Sequence, residues 1–304
     1  MANPLDSYKQ PDFLKKGQKV GLVSTARKIS RQELEYAIDI ITDWGLVPVL
    51  GNHIFDTFYQ FAGNDQARID DFQQMLDDPT IKAIICVRGG YGTVRIIDAL
   101  NFELFLRQPK WIAGFSDITV LHAHLHNLRV CSLHSTMPIC FEKDTLEAVK
   151  SLKRALFGES IDITLDHHPF NIRGHCKGQI VGGNLSVLYS LMGSSSEIDT
   201  SNKILFIEDL DEYLYHIDRM MMSLKRSEKL SGLAGLIVGG MTSMNDNNIP
   251  FGKTAEDIIK DCIGDYSFPV CFNFPAGHIK HNLALQLGRY ASLKVDTSVS
   301  LSYE

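Results

Sequence analysis

The amino-acid sequence predicts an α/β fold of two domains, the first built on a parallel sheet. Its strand-like segments are continuous apolar runs, as expected of strands that are buried on both faces. These runs alternate with segments of helical periodicity, an order that produces a parallel sheet covered by helices. The chain has 304 residues, which is long for one core. We therefore expect an N-terminal domain over 1–157, a linker over 158–177 and a smaller C-terminal domain over 178–304.

In the first half, apolar runs predict five strands and helical periodicity predicts three helices. The strands cover 19–24, 46–50, 81–87, 111–115 and 130–134. The helices cover 30–44, 64–76 and 118–128. Ser30 and Glu33 have the spacing of a capping box, in which each side chain accepts a hydrogen bond from the other residue's N–H. Ligands of such sheets bind beyond the carboxyl ends of the strands, so the loops there are the first candidates for a site.

The second half predicts a smaller domain of mixed α/β type. The segment 158–177 lacks steady periodicity, which is why it is predicted to be the linker. Residues 179–184 lead into a predicted helix, and the predicted strands cover 203–207, 233–238, 269–274 and 283–295. The predicted helices include 213–226 and 254–262.

The composition of the chain argues against some classes of binding partner. The formal net charge is −6 and no basic run offsets it, so a nucleic-acid partner is not expected. No apolar stretch reaches the roughly 20 residues that span a bilayer. The N-terminus lacks the charged and apolar regions of a signal peptide. The six cysteines form no C-x-x-C pair. We therefore expect a cytoplasmic protein with reduced thiols and no membrane partner.

Three histidines on the predicted helix 118–128 are the one pattern that favours a metal site. His122 and His126 share a helix face, whereas His124 does not. No H-E-x-x-H pattern surrounds them, so we expect neither a metal nor a cofactor.

Ser116 follows an apolar run and precedes a helix, which places it at a strand–turn–helix junction. A serine there has an exposed hydroxyl beside the unpaired N–H groups that begin a helix, the arrangement of a nucleophile elbow. The usual G-x-S-x-G pattern is incomplete, because Ile118 stands where the second glycine would be. The alternative is an ordinary helix N-cap, and the local sequence favours neither.

A serine nucleophile needs a base and a group that orients the base. His278 lies in a Pro-Ala-Gly turn after a predicted strand, and Glu208 ends the predicted strand 203–207. Asp209 is a rival for the carboxylate role, because neighbours on a strand face opposite sides. Glu208 could instead cap the following helix, and His278 could be an ordinary turn residue. The three side chains would meet only in a cleft between the domains.

The glycine loop 88–92 also follows a strand. The N–H of Gly89 or Gly90 could donate one hydrogen bond to an oxyanion, and the N–H of Asp117 another. The alternative is a tight turn with no ligand. A phosphate-binding loop is disfavoured, because neither common glycine pattern for phosphates is present.

Together these segments resemble the L,D-carboxypeptidase family of serine peptidases, the muramoyltetrapeptide carboxypeptidases. The matching segments are 88–92 (RGGYG), 114–117 (GFSD), His134 with Met137, 182–186 (GGNLS), 207–209 (IED), and 277–278 (GH) followed by Asn282. The resemblance implies a triad of Ser116, Glu208 and His278. It also implies a Rossmann-like N-terminal domain, a smaller β-rich C-terminal domain, a cytoplasmic homodimer and no metal. Ser135 and Gln286 depart from the family pattern, which tends to have glycine and proline there.

From this resemblance we expect hydrolysis that releases the terminal D-alanine of a murein tetrapeptide. A carboxypeptidase must also bind the terminal carboxylate of its substrate, for which Arg88 is the candidate. Asn184 is a further candidate for substrate binding.

Two other functions are compatible with the sequence. One is a self-immunity peptidase that cleaves peptidyl-nucleotide antibiotics, against which counts the absence of an aromatic residue from 193–202. The other is a non-catalytic protein of two domains that binds an amino acid or peptide.

Overall fold

A computed structural model describes residues 8–304. Residues 1–7 belong to the predicted N-terminal domain and to the segment on which the expected absence of a signal peptide rests, and they lie outside the described part. The strands are β1 (Lys19–Val23), β2 (Val47–Leu50), β3 (Ile81–Cys86), β4 (Trp111–Gly114), β5 (Ser132–His134), β6 (Ile163–Asp166), β7 (Gly174–Asn184), β8 (Ile204–Leu210), β9 (Gly235–Thr242), β10 (Val270–Cys271), β11 (Leu285–Leu287), β12 (Tyr290–Val295) and β13 (Ser298–Tyr303). The helices are α1 (Arg31–Asp43), α2 (Asp65–Asp77), α3 (Glu103–Arg107), α4 (Thr119–Asn127), α5 (Leu146–Phe157), α6 (Leu185–Ser190), α7 (Leu214–Arg226) and α8 (Ala255–Cys262).

The first sheet has the order β11-β5-β4-β3-β1-β2, and its five strands from the first half are parallel. The predicted α/β fold with a parallel sheet is confirmed. The sixth strand, β11, comes from the end of the chain and pairs antiparallel with β5. Its Gln286 N–H donates to the Tyr303 hydroxyl at 2.9 Å, a bond that a proline could not make.

The second sheet has the order β10-β9-β8-β7-β12-β13-β6. Strands β7 to β10 are parallel to one another, whereas β12, β13 and β6 extend the sheet with antiparallel pairs. Consequently β7 lies at the change from parallel to antiparallel pairing, and β8 is in the middle of the parallel part.

Several elements differ from the sequence-based predictions. The segment 158–177, predicted to be a linker, contains β6 and the first residues of β7. Helices α3 and α5 and strand β13 were not predicted. Strand β6 pairs with β13 and alternates apolar with polar residues, but four residues are too short a pattern to be recognised as a strand.

One apolar core joins the two sheets. It includes Phe115 and Ile118 from the first half and Val181 and Ile207 from the second, all of them buried. Helix α4 packs between the sheets against β7. Within residues 8–304, no helix is both long enough and apolar enough to cross a bilayer.

Candidate active site

Ser116 occupies a strained turn between β4 and α4. It begins a single 3₁₀ turn, Ser116–Ile118, with φ of 64°, a left-handed conformation that non-glycine residues rarely adopt. No side chain caps this turn or α4, whose N-cap residue is Ile118. The alternative of a serine N-cap is therefore wrong. Strain of this kind costs about 1–3 kcal/mol and is concentrated at functional sites.

Gly114 makes the sharp turn possible. Its φ is 155°, and a Cβ atom at this position would lie 2.9 Å from Cγ1 of Ile118. The isoleucine that replaces the second glycine of the elbow pattern thus packs against the first glycine.

Glu208 and His278 form a buried pair. Oε2 of Glu208 lies 2.6 Å from Nδ1 of His278 and also accepts the backbone N–H of His278 at 3.0 Å. Glu208 is fully buried, and 14% of the His278 side chain is exposed. With Nδ1 donating its proton to Glu208, Nε2 of the neutral ring is an acceptor.

Opposing effects set the pKa of His278. Burial lowers it, but the negative charge of Glu208 and its hydrogen bond, helped by the charge of Asp209, outweigh burial. The pKa of His278 is therefore raised above its ordinary value of 6.5.

Glycine allows the His278 loop to close on Glu208. Gly277 has φ of 105°, and a Cβ atom there would lie 2.6 Å from Cβ of Glu208. The Gly277 N–H donates to Oδ1 of buried Asn282 at 2.9 Å, which holds the turn. Glu208 is not a helix cap, since Tyr213 is the N-cap residue of α7, and His278 is more than a turn residue because its ring is bound to Glu208.

The structure brings His278, the serine turn and the glycine loop together. The His278 ring packs on the ring of Phe115, the neighbour of Ser116, with centroids 4.8 Å apart. On another side, a Cβ atom at Gly89 would lie 3.3 Å from Oγ of Ser116. The loop 88–92 therefore reaches the serine hydroxyl.

Three backbone N–H groups near Ser116 have no acceptor within residues 8–304: those of Gly89, Gly90 and Asp117. The carboxylate of Asp117 points into the protein and accepts the N–H of Thr93 at 2.9 Å, which ties the serine turn to the glycine loop. Burial raises the pKa of Asp117, although its hydrogen bonds from Thr93 oppose this.

Asp209 and Asn184 are hydrogen-bonded to each other and to the start of α6. The two oxygens of Asp209 accept from the Asn184 side chain at 2.9 Å and from the Ser186 N–H at 2.8 Å. Burial, and secondly the charge of Glu208, raise the pKa of Asp209 to about 6. Oδ1 of Asn184 caps α6 at the N–H of Val187. The side chain of Asn184 is thus engaged within the protein, and its role in substrate binding stays a prediction.

Arg88 is also bound to the protein itself. Its Nη1 donates to the carbonyl of Lys28 at 3.0 Å and lies 3.6 Å from a carboxylate oxygen of Glu33 at the start of α1. This ties the glycine loop to α1 and reduces what Arg88 can offer a substrate.

Two buried polar residues at the site were not singled out by composition or periodicity. Arg68 of α2 is 1% exposed and donates to the carbonyls of Thr25 and Gly92, so it holds the loop after β1 against the glycine loop. The His134 ring lies against Phe115 and Phe206, and burial places its pKa well below 6.5. No periodic pattern in the sequence marks the side chain of Arg68 as buried. His134 was singled out by the family resemblance alone.

The histidines of α4 have protein partners. His122 lies within hydrogen-bond distance of the Ser132 hydroxyl and the Gly114 carbonyl, and burial lowers its pKa to about 4. His126 contacts the Tyr8 hydroxyl. Within residues 8–304, no cluster of metal-ligating side chains is present.

Family models and individual relatives of known name both match carboxypeptidases. Models of the LD-carboxypeptidase N-terminal and C-terminal domains match 20–135 and 177–293. A probable murein peptide carboxypeptidase of Bacillus subtilis is 34% identical over 295 residues, covering 94% of this chain and 92% of the relative. A murein tetrapeptide carboxypeptidase of Pseudomonas aeruginosa is 26% identical over 291 residues, covering 91% and 93%.

Solved structures share the fold. A muramoyltetrapeptide carboxypeptidase from Oxalobacter formigenes has a TM-score of 0.86 at 23% identity, covering 94% of this chain and 98% of that one. The microcin C7 self immunity protein MccF, in complex with aspartyl sulfamoyl adenosine, has a TM-score of 0.85 at 19% identity, covering 97% and 98%. At these identities the likeness is one of fold alone.

Proposed function

The chain belongs to the LD-carboxypeptidase family and is a carboxypeptidase, and we propose that it releases the terminal D-alanine of murein tetrapeptides through Ser116, Glu208 and His278. The observation that carries this proposal is the buried Glu208–His278 pair packed beside the strained serine turn. A base with an orienting carboxylate next to a serine hydroxyl is the arrangement that activates a serine.

In the proposed reaction, Oγ of Ser116 attacks the carbonyl carbon of the last peptide bond. Nε2 of His278 takes the hydroxyl proton and then gives it to the departing amine of D-alanine. Glu208 keeps the Nδ1 proton in place and stabilises the imidazolium that forms. Water then attacks the acyl-enzyme by the same route and frees the tripeptide.

The proposed oxyanion site consists of the N–H groups of Asp117 and of Gly89 or Gly90. They have no acceptor of their own within residues 8–304, and Gly89 packs against the Ser116 side chain. Donors that are already fixed in place stabilise the developing negative charge without reorganisation.

The names of relatives support the substrate. The relatives from B. subtilis and P. aeruginosa are named for murein peptides, and this chain covers more than nine-tenths of each. We therefore propose a murein tetrapeptide as the partner, rather than a nucleic acid or a membrane, and a cytoplasmic homodimer as the working form.

Membership in the family excludes one of the two alternative functions, because a carboxypeptidase is not a non-catalytic binding protein. Cleavage of peptidyl-nucleotides is disfavoured by the loop 193–202, which has no aromatic side chain to stack on a base. Its Ser195 and Glu197 carbonyls instead accept hydrogen bonds from Asn127 of α4.

A substrate panel tests the proposal. Purified protein is given a murein tetrapeptide ending in D-alanine, the same peptide ending in L-alanine, and an aspartyl sulfamoyl adenosine analogue with a cleavable amide. Mass spectrometry should find release of D-alanine only. Cleavage of the nucleotide alone would overturn the murein assignment and favour the self-immunity activity.

A further inference from the structure

A carboxypeptidase must recognise a free carboxylate one residue beyond the bond that it breaks. Arg88, the candidate from the sequence, already donates to the Lys28 carbonyl and lies near Glu33. The cation that binds the substrate is therefore to be sought elsewhere around the glycine loop.

Arg27 also lies against that loop. It follows β1, and its N–H donates to the carbonyl of Gly89 at 3.4 Å. Its side chain crosses Gly90, where an added Cβ atom would lie 2.6 Å from Cδ and 3.0 Å from Nε of Arg27. Gly90 therefore leaves room for this side chain, and its φ of 117° also favours glycine.

Two adjacent glycines connect Arg27 to the serine. Gly89 packs against Oγ of Ser116, while Gly90 packs against the side chain of Arg27. The N–H groups proposed to bind the oxyanion belong to the same two residues. Ser116, Gly89, Gly90 and Arg27 thus form a continuous series of close approaches, along which the scissile carbonyl and the terminal carboxylate of one substrate would lie.

The buried side chain of Arg68 helps to position the segment that contains Arg27. Arg68 donates to the Thr25 carbonyl, two residues before Arg27, and to the Gly92 carbonyl. Thr25 and Thr93 also share a hydrogen bond of 2.9 Å between their hydroxyls. These bonds connect the Arg27 segment to the glycine loop.

Arg27 is an exposed residue, and its guanidinium makes no hydrogen bond or ion pair within residues 8–304. Its planar donors match the two oxygens of a carboxylate. We propose that Arg27 binds the terminal carboxylate of the substrate and so restricts cleavage to the last residue. This inference rests on the proposed function, because it assigns a residue to the substrate of that same site.

Kinetics of paired substrates test the role of Arg27. The substrates are a murein tetrapeptide with a free terminal carboxylate and the same peptide with a terminal amide, and the measured quantity is kcat/KM. Wild-type protein should prefer the acid. Arg27→Met should lower kcat/KM for the acid by roughly 10–100-fold, mainly through KM, and leave the amide nearly unchanged. Arg27→Lys should restore part of the preference.

A matched variant separates the binding role of Arg27 from a general effect of surface charge. Lys28→Met removes the same charge from the neighbouring exposed position and should keep the preference for the acid. If Arg27→Met lowered the rates for both substrates equally, the effect would come from folding or site geometry and the proposal would be overturned. An unchanged acid preference in Arg27→Met would also overturn it, as would its loss in Arg88→Met instead. If wild-type protein cleaves neither substrate, the proposed function itself is wrong and this inference falls with it.

Discussion

At the scale of single residues, the charge of Glu208 decides at which pH His278 becomes a base. The neutral imidazole accepts the serine proton, so kcat/KM should rise with pH through the raised pKa of His278, which lies above 6.5. Glu208→Gln removes the charge but keeps the burial that lowers the pKa. We expect kcat to fall on the order of 10³–10⁴-fold and the midpoint of the rise to move to lower pH.

The pH profile separates this role from a structural one. A variant that merely loosened the site would lose rate and keep its midpoint. An unchanged midpoint in Glu208→Gln, measured on the residual activity, would therefore contradict the assigned role of Glu208.

Gly89 is the position where the loop approaches the nucleophile most closely. An alanine there would place its Cβ 3.1 Å from Cβ and 3.3 Å from Oγ of Ser116, closer than side chains normally pack. The backbone of Gly89 is not left-handed, so the fold should tolerate the change. We expect Gly89→Ala to lower kcat at least about tenfold, because misplaced reacting groups lose rate steeply.

Gly264→Ala is the matched control for Gly89→Ala. Its added Cβ would meet only backbone oxygens at 3.5 Å or more, so both activity and melting temperature should stay near wild type. A Gly89→Ala protein that melts at the wild-type temperature with full activity would show that Gly89 has no part in the site.

At the scale of elements, α2 holds two loops of the site through Arg68. Arg68→Met would leave the buried carbonyls of Thr25 and Gly92 without their donor. Buried unpaired groups are costly, so the free energy of unfolding should fall by about 2–3 kcal/mol, measured by urea unfolding. Arg95→Met is the control, because Arg95 also pairs with Asp65 but is 47% exposed, and it should cost under about 1 kcal/mol. Equal losses in both variants would contradict the argument.

Elements with strong local signals could be predicted from the sequence, and the others could not. The Ser30–Glu33 capping box is present as expected and begins α1. Strand β11 is three residues long and pairs with β5, which lies about half the chain away, so no local pattern indicates its sheet. The same limit applies to Arg68 and Arg27, whose roles depend on contacts between distant loops.

The site shows this limit more clearly than the fold does. Ser116 could be proposed from its strand–turn–helix context, yet that context left a helix cap equally open. The strained φ of Ser116, which argues against the cap, and the close approach of Gly89 to Oγ are three-dimensional facts. The part that Asn184 plays in the fold could not be predicted either, because its position in a matched segment does not reveal that its amide is engaged by Asp209 and α6.

At the scale of the whole molecule, the two halves share one core and one sheet. Strand β11 completes the first sheet, the N–H of Ala284 donates to Ser151 of α5, and Thr145 bonds to His281. We therefore expect one cooperative unfolding transition, seen at the same temperature by circular dichroism and by calorimetry. Two separate transitions, or a fragment of residues 1–157 that folds alone, would contradict this.

The most direct measurement of the central claim is the release of D-alanine from a murein tetrapeptide by wild-type protein and by Ser116→Ala, at matched circular dichroism spectra. The proposed mechanism predicts release by wild type and a loss of about 10⁴-fold or more in the variant. Release by Ser116→Ala at a rate near that of wild type would contradict the proposal that Ser116 is the nucleophile.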